Sequence, residues 1–125
     1  MIVGTGVDIL SVERMARALT NHPGRMEPRL FTERERAYCA ARARPEEHLA
    51  ARFAAKEALL KALHVPKGLS WHELEVVNDE AGAPRFELHG EAARAVQAMG
   101  VAAVHLSLSH SDGHAIAMVV VEGAG

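Results

Sequence analysis

Glu46-Glu47-His48-Leu49-Ala50-Ala51-Arg52-Phe53-Ala54-Ala55-Lys56-Glu57-Ala58-Leu59-Leu60-Lys61-Ala62-Leu63 is the stretch that decides the fold. It is rich in Ala, Leu, Glu and Lys and holds no internal Gly or Pro, so it reads as the longest helix of the chain. At 100° per residue Leu49, Phe53, Leu60 and Leu63 form one apolar arc. Lys56 falls inside that arc, with Arg52 and Glu57 at its margins. Lys and Glu are rarely buried unless paired, so this face either borders a cleft or holds a structural ion pair.

On the N-terminal side, Thr32 and Glu35 form a capping box for a helix through Ala37, Tyr38 and Ala41, which Pro45 is expected to stop. Before it, Ser11 is placed to cap a helix carrying Met15, Ala18 and Leu19, ended by Asn21-His22-Pro23-Gly24. Ile2 to Ile9 is β-branched and reads as a buried strand with Asp8 near its tip. On the C-terminal side, Val65-Pro66-Lys67-Gly68 ends the long helix. Strands over 74–77 and 85–88 flank Asn78-Asp79-Glu80-Ala81-Gly82, a helix follows from Gly90 to Met99, and strands over 101–109 and 115–122 flank Ser111-Asp112-Gly113. Hairpins rather than βαβ crossovers predict an α+β fold, an antiparallel sheet packed against a long helix, in one domain over 1–125.

Charge is unevenly distributed. Residues 1–67 carry twelve Lys/Arg against eight Asp/Glu, net +4, and the remainder two against eight, net -6. Eight arginines between Arg14 and Arg44 face only Glu27, Glu33 and Glu35, a local +5 that would attract an acidic partner or form a solvated helical face. Aromatics at 4% offer no stacking platform for nucleic acid. One cysteine, Cys39, excludes an intrachain disulfide and a multi-cysteine zinc site, and suits a reducing cytosol. The start Met1-Ile2-Val3-Gly4 lacks the features of a secretion signal, and no apolar run is long enough to cross a bilayer, so the chain is expected to be soluble and cytoplasmic.

The chemistry gathers at Asp8 and the long helix. A carboxylate at the tip of a buried strand needs a positive partner, and Glu57, flanked by lysines, is placed to share one. A hard divalent cation is one such partner. Magnesium takes one or two carboxylates and completes its shell with water and phosphate oxygens, so two acids among cationic residues suit a phosphate-bearing substrate. Spacing alone does not bring Asp8 and Glu57 together.

Three segments carry a further signal: Gly4-Thr5-Gly6-Val7-Asp8-Ile9, Arg52-Phe53-Ala54-Ala55-Lys56-Glu57-Ala58-Leu59-Leu60-Lys61-Ala62, and Leu106-Ser107-Leu108-Ser109-His110-Ser111. In order and spacing they resemble the three signature motifs of the holo-acyl-carrier-protein synthase family of phosphopantetheinyl transferases. The likeness extends to Phe31-Thr32-Glu33-Arg34-Glu35 and to the Gly82-Ala83-Pro84 turn. It implies a 4′-phosphopantetheinyl transferase-like fold and transfer of 4′-phosphopantetheine from coenzyme A to a serine of an apo acyl carrier protein, in support of fatty acid synthesis. Asp8 and Glu57 then stand where the family holds Mg2+, and Lys61 where it manages phosphate charge and proton traffic. Arg52, Lys56 and His110 stand where it lines the coenzyme A site, His110 also being a candidate for acid/base help. Carrier proteins of this kind present an acidic helix, which gives Arg14, Arg17 and Arg25 a docking role. The short members resemble homotrimers with sites between subunits, Asp8 coming from one chain and the Glu57 helix from the next or its close surroundings.

After the long helix the family often carries a glycine-rich loop, whereas this chain has His64-Val65-Pro66-Lys67-Gly68-Leu69, which puts nucleotide contacts there in doubt and leaves Lys67 as a loop lysine or a substitute phosphate ligand. His22, His48, His64, His72, His89, His105 and His114 show no metal-ligand spacing and receive no function. Cys39 reads as a packed side chain, and Tyr38 and Trp71 as core or interface residues. A coenzyme A binding module without transfer activity and a magnesium-dependent phosphodiesterase remain as alternatives.

Overall fold

The structure, a computed structural model, describes residues 1–64 and 68–124. Its elements are β1 (Ile2–Ser11), α1 (Val12–Asn21), α2 (Met26–Leu30), α3 (Glu33–Ala40), α4 (Pro45–Leu63), a 3-10 turn (Trp71–Glu73), β2 (Leu74–Asn78), β3 (Pro84–Leu88), α5 (Gly90–Ala98), β4 (Val101–Ser111) and β5 (His114–Gly123). Helices and antiparallel strands mix as the α+β reading expects. The chain's two ends meet in one sheet: β1 pairs with β5 and β5 with β4, giving the order β1-β5-β4, while β2 and β3 form a separate hairpin.

Local signals account for most boundaries. Ser11 Oγ accepts from Arg14 N and starts α1. Thr32 and Glu35 form the reciprocal capping box at α3. Pro45 plays a different part from the one expected. It does not stop α3, which ends at Ala40, but opens α4 at a position where its missing N–H goes unneeded. The short α2 and the 3-10 turn were not anticipated, because five and three residues are too few to show a period.

The expected amphipathic arc of α4 is replaced by burial nearly all round: Ala50, Ala54, Ala55, Ala58 and Leu59 are wholly buried, and Ala51, Ala62 and Leu63 nearly so. Helix α4 is therefore the centre of the molecule, with the three-stranded sheet on one side and α1 and α3 on another. A small-residue seam brings it close to the sheet. A Cβ on Gly4 would lie 2.0 Å from the carbonyl oxygen of Ala62, and one on Gly6 1.9 Å from that of Ala58. Only glycine fits, and the two glycines let β1 lie almost directly on the helix backbone. Alternation along the strand then puts Asp8 on the same face as Gly4 and Gly6, turned toward α4.

Two apolar clusters flank α4, one against β2, β5 and α5, the other built on Met15, Leu30, Phe31, Cys39 and Leu49. Cys39 is buried and unpaired, and burial pushes its thiol up to about 11. The outer face of the sheet is left bare. Val7, Ile9, Ile116 and Met118 are 59%, 58%, 38% and 52% exposed, with Val7 opposite Met118 and Ile9 opposite Ile116 across the β1–β5 pairing. No helix among the described residues is long and apolar enough to cross a membrane.

Candidate active site

Asp8 and the α4 motif meet within one chain. Lys61 Nζ donates to Asp8 Oδ1 at 3.0 Å and to the carbonyl oxygen of Val7 at 3.0 Å. Glu57 lies one helical turn before Lys61, and its carboxyl is held above the ordinary range by burial, then by the charge of Asp8, with Lys61 opposing. This corrects the expectation that Asp8 comes from one subunit and the Glu57 helix from another. The cause is the glycine seam, which lays β1 along the helix that carries the second acid.

Lys61 neutralises this pair only in part. Asp8 Oδ2 is buried and has no hydrogen-bond partner, and Glu57 is disfavoured in its charged form. A buried, orphaned carboxylate oxygen next to a second destabilised carboxylate fits an all-oxygen site for a hard cation such as Mg2+. Lys61, with its side chain 54% exposed, stays free to turn toward a ligand.

Arg52 and His110 share a second place. They line a cavity of about 370 Å3 with Tyr38, His48, Asn78, Gly82, Pro84 and Ser109. Arg52 is buried, its guanidinium 4.3 Å from the Tyr38 ring centre, and its Nη2 donates to Asn78 Oδ1 at 2.5 Å while Nε has no partner. Arg42 packs on the same ring at 4.1 Å. His48 and His110 meet edge to face, and burial, then His110 and the arginines, lower the basicity of His48. A buried arginine with an unused donor suits this cavity to an anion. His48, Asn78 and Ser109 were not singled out from the sequence, although His48 lies one helical turn before Arg52 and shares its face.

His110 stands apart from the acids. Its Nδ1 lies 3.8 Å from Glu47 Oε2, and Glu47 precedes Glu57 by ten residues of helix, roughly 15 Å along the axis. Within one chain His110 therefore stands in the cavity beside Arg52, open to a phosphate contact, and away from Asp8 and Glu57. Lys56 needs a larger correction. It does not line a ligand site: it is wholly buried, and its Nζ donates to the carbonyls of Leu30 (2.8 Å) and Trp71 (2.9 Å) and to Glu35 Oε1 (2.7 Å). Three donors meet three acceptors, so none remains for phosphate. The charge inside the apolar arc was half of a structural ion pair.

The docking candidates lie on α1 and at the start of α2. Arg14 lines a cavity of about 350 Å3 floored by Leu10, Met15, Met26 and Phe53. Arg25 lines a cavity of about 510 Å3 with His22, Arg29, Met26, Leu30 and Trp71. Arg17 makes a solvent-exposed pair with Glu13 at 3.7 Å, whereas Arg14 and Arg25 have no acidic partner among the described residues. Glu75, Glu87 and His89 also gather closely, but Arg34 already bridges the two carboxylates. Lys67 and the unusual part of the loop, residues 65–67, lie outside the described residues.

Comparison with known proteins agrees over the whole length. The model of the 4′-phosphopantetheinyl transferase superfamily matches residues 4–119. A holo-[acyl-carrier-protein] synthase of Clavibacter sepedonicus is 50% identical over 125 residues, covering 100% of this chain and 99% of that protein. One from Geobacter sulfurreducens is 45% identical over 124 residues, with 98% of each chain covered. Among solved structures, the Neisseria meningitidis holo-[acyl-carrier-protein] synthase superposes with a TM-score of 0.90 at 31% identity, over 98% of this chain and 99% of that one. The Helicobacter pylori enzyme in complex with coenzyme A gives 0.82 at 28% identity, over 94% and 99%.

Proposed function

The chain belongs to the 4′-phosphopantetheinyl transferase superfamily and transfers phosphopantetheine from coenzyme A to an apo acyl carrier protein; we propose that it does so around one Mg2+ held by Asp8 and Glu57. The observation that carries this reading is the buried, unpartnered Asp8 Oδ2 beside a Glu57 whose charge is disfavoured. When bound, Mg2+ neutralises the two carboxylates and draws negative charge from the pyrophosphate oxygens of coenzyme A. The family match over residues 4–119 supports reading the whole chain as one transferase domain; its place in this reading is the cytoplasm, serving fatty acid synthesis.

In the reaction a carrier serine Oγ attacks the phosphorus that bears the pantetheine arm. The bond from that phosphorus to the bridging oxygen breaks, the serine proton passes to solvent, and adenosine 3′,5′-bisphosphate leaves. Lys61 is a catalytic residue in this reading, since its Nζ lies at the acids and reaches the phosphate oxygens on which charge builds. Arg52 and His110, with His48, hold the nucleotide end of coenzyme A through its phosphate, and the unused Nε of Arg52 supports that role. Arg14, Arg17 and Arg25 receive the acidic helix of the carrier, whose apolar side chains fit the Met15–Phe53 floor.

The active assembly in this reading is a homotrimer. The bare apolar face of Val7, Ile9, Ile116 and Met118, on the side of β1 turned away from Asp8, supports a second copy seated there. It also accounts for two half-sites roughly 15 Å apart along one α4: the anion cavity of one subunit serves the acids of its neighbour.

The deciding experiment mixes the protein with coenzyme A, Mg2+ and an apo carrier, and weighs the carrier by mass spectrometry. A gain of one phosphopantetheine that stops when the metal is chelated is the expected result. No gain over a range of carriers and divalent metals would overturn the reading.

A further inference from the structure

A capping-box glutamate ordinarily sits at the protein surface, but Glu35 is 1% exposed. Its Oε1 accepts from Thr32 N (2.9 Å) and from Lys56 Nζ (2.7 Å), and its Oε2 accepts from Val76 N (3.0 Å). Lys56 in turn donates to the last carbonyl of α2, at Leu30, and to the first carbonyl of the 3-10 turn, at Trp71. One buried pair thus ties α2, α3, the 3-10 turn and β2 to the middle of α4.

Stability alone is a poor reason for such a pair. Taking two charges out of water costs about as much as their attraction returns, and apolar replacements of similar volume are often no less stable. What the pair does supply is fixed geometry. Leu30 and Trp71, the residues whose carbonyls Lys56 holds, line the same cavity as Arg25 and Arg29. On the other side of the linkage, Lys56 is the immediate neighbour of Glu57, one helical turn before the Lys61 that bonds Asp8. The amine thus fixes the arginine-bearing wall to the helix that carries the metal acid, and losing it frees the wall while the helix stays in place.

We infer that Lys56, clamped by Glu35, is a positioning residue that sets the carrier-docking wall of α2 at a fixed distance and angle from the Asp8–Glu57 site. It touches neither substrate. It acts through the two carbonyls it holds and through the helix it shares with Glu57. Without it, Leu30 and Trp71 lose their common donor and the α2 wall is free to move, while Arg52, His48 and His110 keep their own contacts. The inference rests on the transferase reading above.

Lys56→Met alone leaves Glu35 as a buried unpaired charge, so the informative variant is Lys56→Met with Glu35→Gln, which removes both charges and keeps one acceptor oxygen for the two backbone N–H groups of Thr32 and Val76. At a temperature where circular dichroism shows this double variant folded, steady-state transfer is measured against both substrates. The KM for apo carrier is expected to rise about tenfold or more while the KM for coenzyme A stays within about twofold. An unchanged carrier KM, or equal rises for both substrates, would overturn the inference. A second measurement uses the wild-type chain: hydrogen exchange at the Thr32 and Val76 amides, which rest on Glu35, is expected to slow when apo carrier binds. Slowing confined to α1 would overturn it as well. Failure of the wild-type protein to load any carrier strikes the transferase reading instead, so the two can be told apart.

Discussion

At the scale of single residues, the acids of the candidate site are placed against their own electrostatic interest. Glu57 is held above its usual range by burial and by Asp8, so the protonated form is favoured in the fold. Stability from that preference is full below the ordinary carboxylate range and is lost as pH rises through the folded value, leaving the ionised Glu57 a burden at neutral pH. Glu57→Gln is therefore expected to raise the apoprotein's melting temperature slightly while cutting transfer about a hundredfold or more; calorimetry and the mass assay measure the two effects. Glu75 is the opposite case. Burial pushes it up, but hydrogen bonds from Arg34, Thr32 and His89 outweigh this and bring it from 4.5 down to about 2. Its contribution is complete above about 4.5 and disappears as pH falls toward about 2. Melting temperature followed across that window should fall more steeply for wild type than for Glu75→Gln, and parallel curves would count against the assignment.

At the scale of elements, the β1–α4 seam decides where the acids stand. Gly6→Ala would drive a methyl group into the Ala58 carbonyl, a clash with backbone that no rotamer relieves. A loss of about 2–3 kcal/mol, read from the denaturant midpoint, is expected, together with weaker Mg2+ binding as Asp8 moves off the helix. The same seam separates what could be read in the sequence from what could not. The strands, the capping box and the long helix follow from local patterns, so they were legible. That Gly4 and Gly6 lie under Ala62 and Ala58 is a tertiary fact, and with it came the meeting of Asp8 and Lys61 in one chain. Lys56 shows the limit most clearly, because periodicity marked it as a charge in an apolar arc, but the choice between a cleft and an ion pair depended on Glu35, twenty-one residues away in sequence. His48 was missed for a related reason: only the folded chain brings Asn78 of β2 and Ser109 of β4 to the same cavity.

At the scale of the whole molecule, the bare sheet face and the divided half-sites point the same way. Met118→Glu sets a charge in the centre of the apolar face, and light scattering should show the assembly fall from three chains to one, with transfer lost at the same time. A variant that stays assembled, or that is monomeric and fully active, would remove the case for shared sites. The solitary thiol of Cys39, 1% exposed and held near 11, has a practical use that follows from its burial. Maleimide or an aromatic disulfide can reach it only when the second apolar cluster opens, so the labelling rate of the unmodified protein is a clock for how often the molecule comes apart. Timed with and without coenzyme A, it reports how far substrate slows that opening, with no engineered probe.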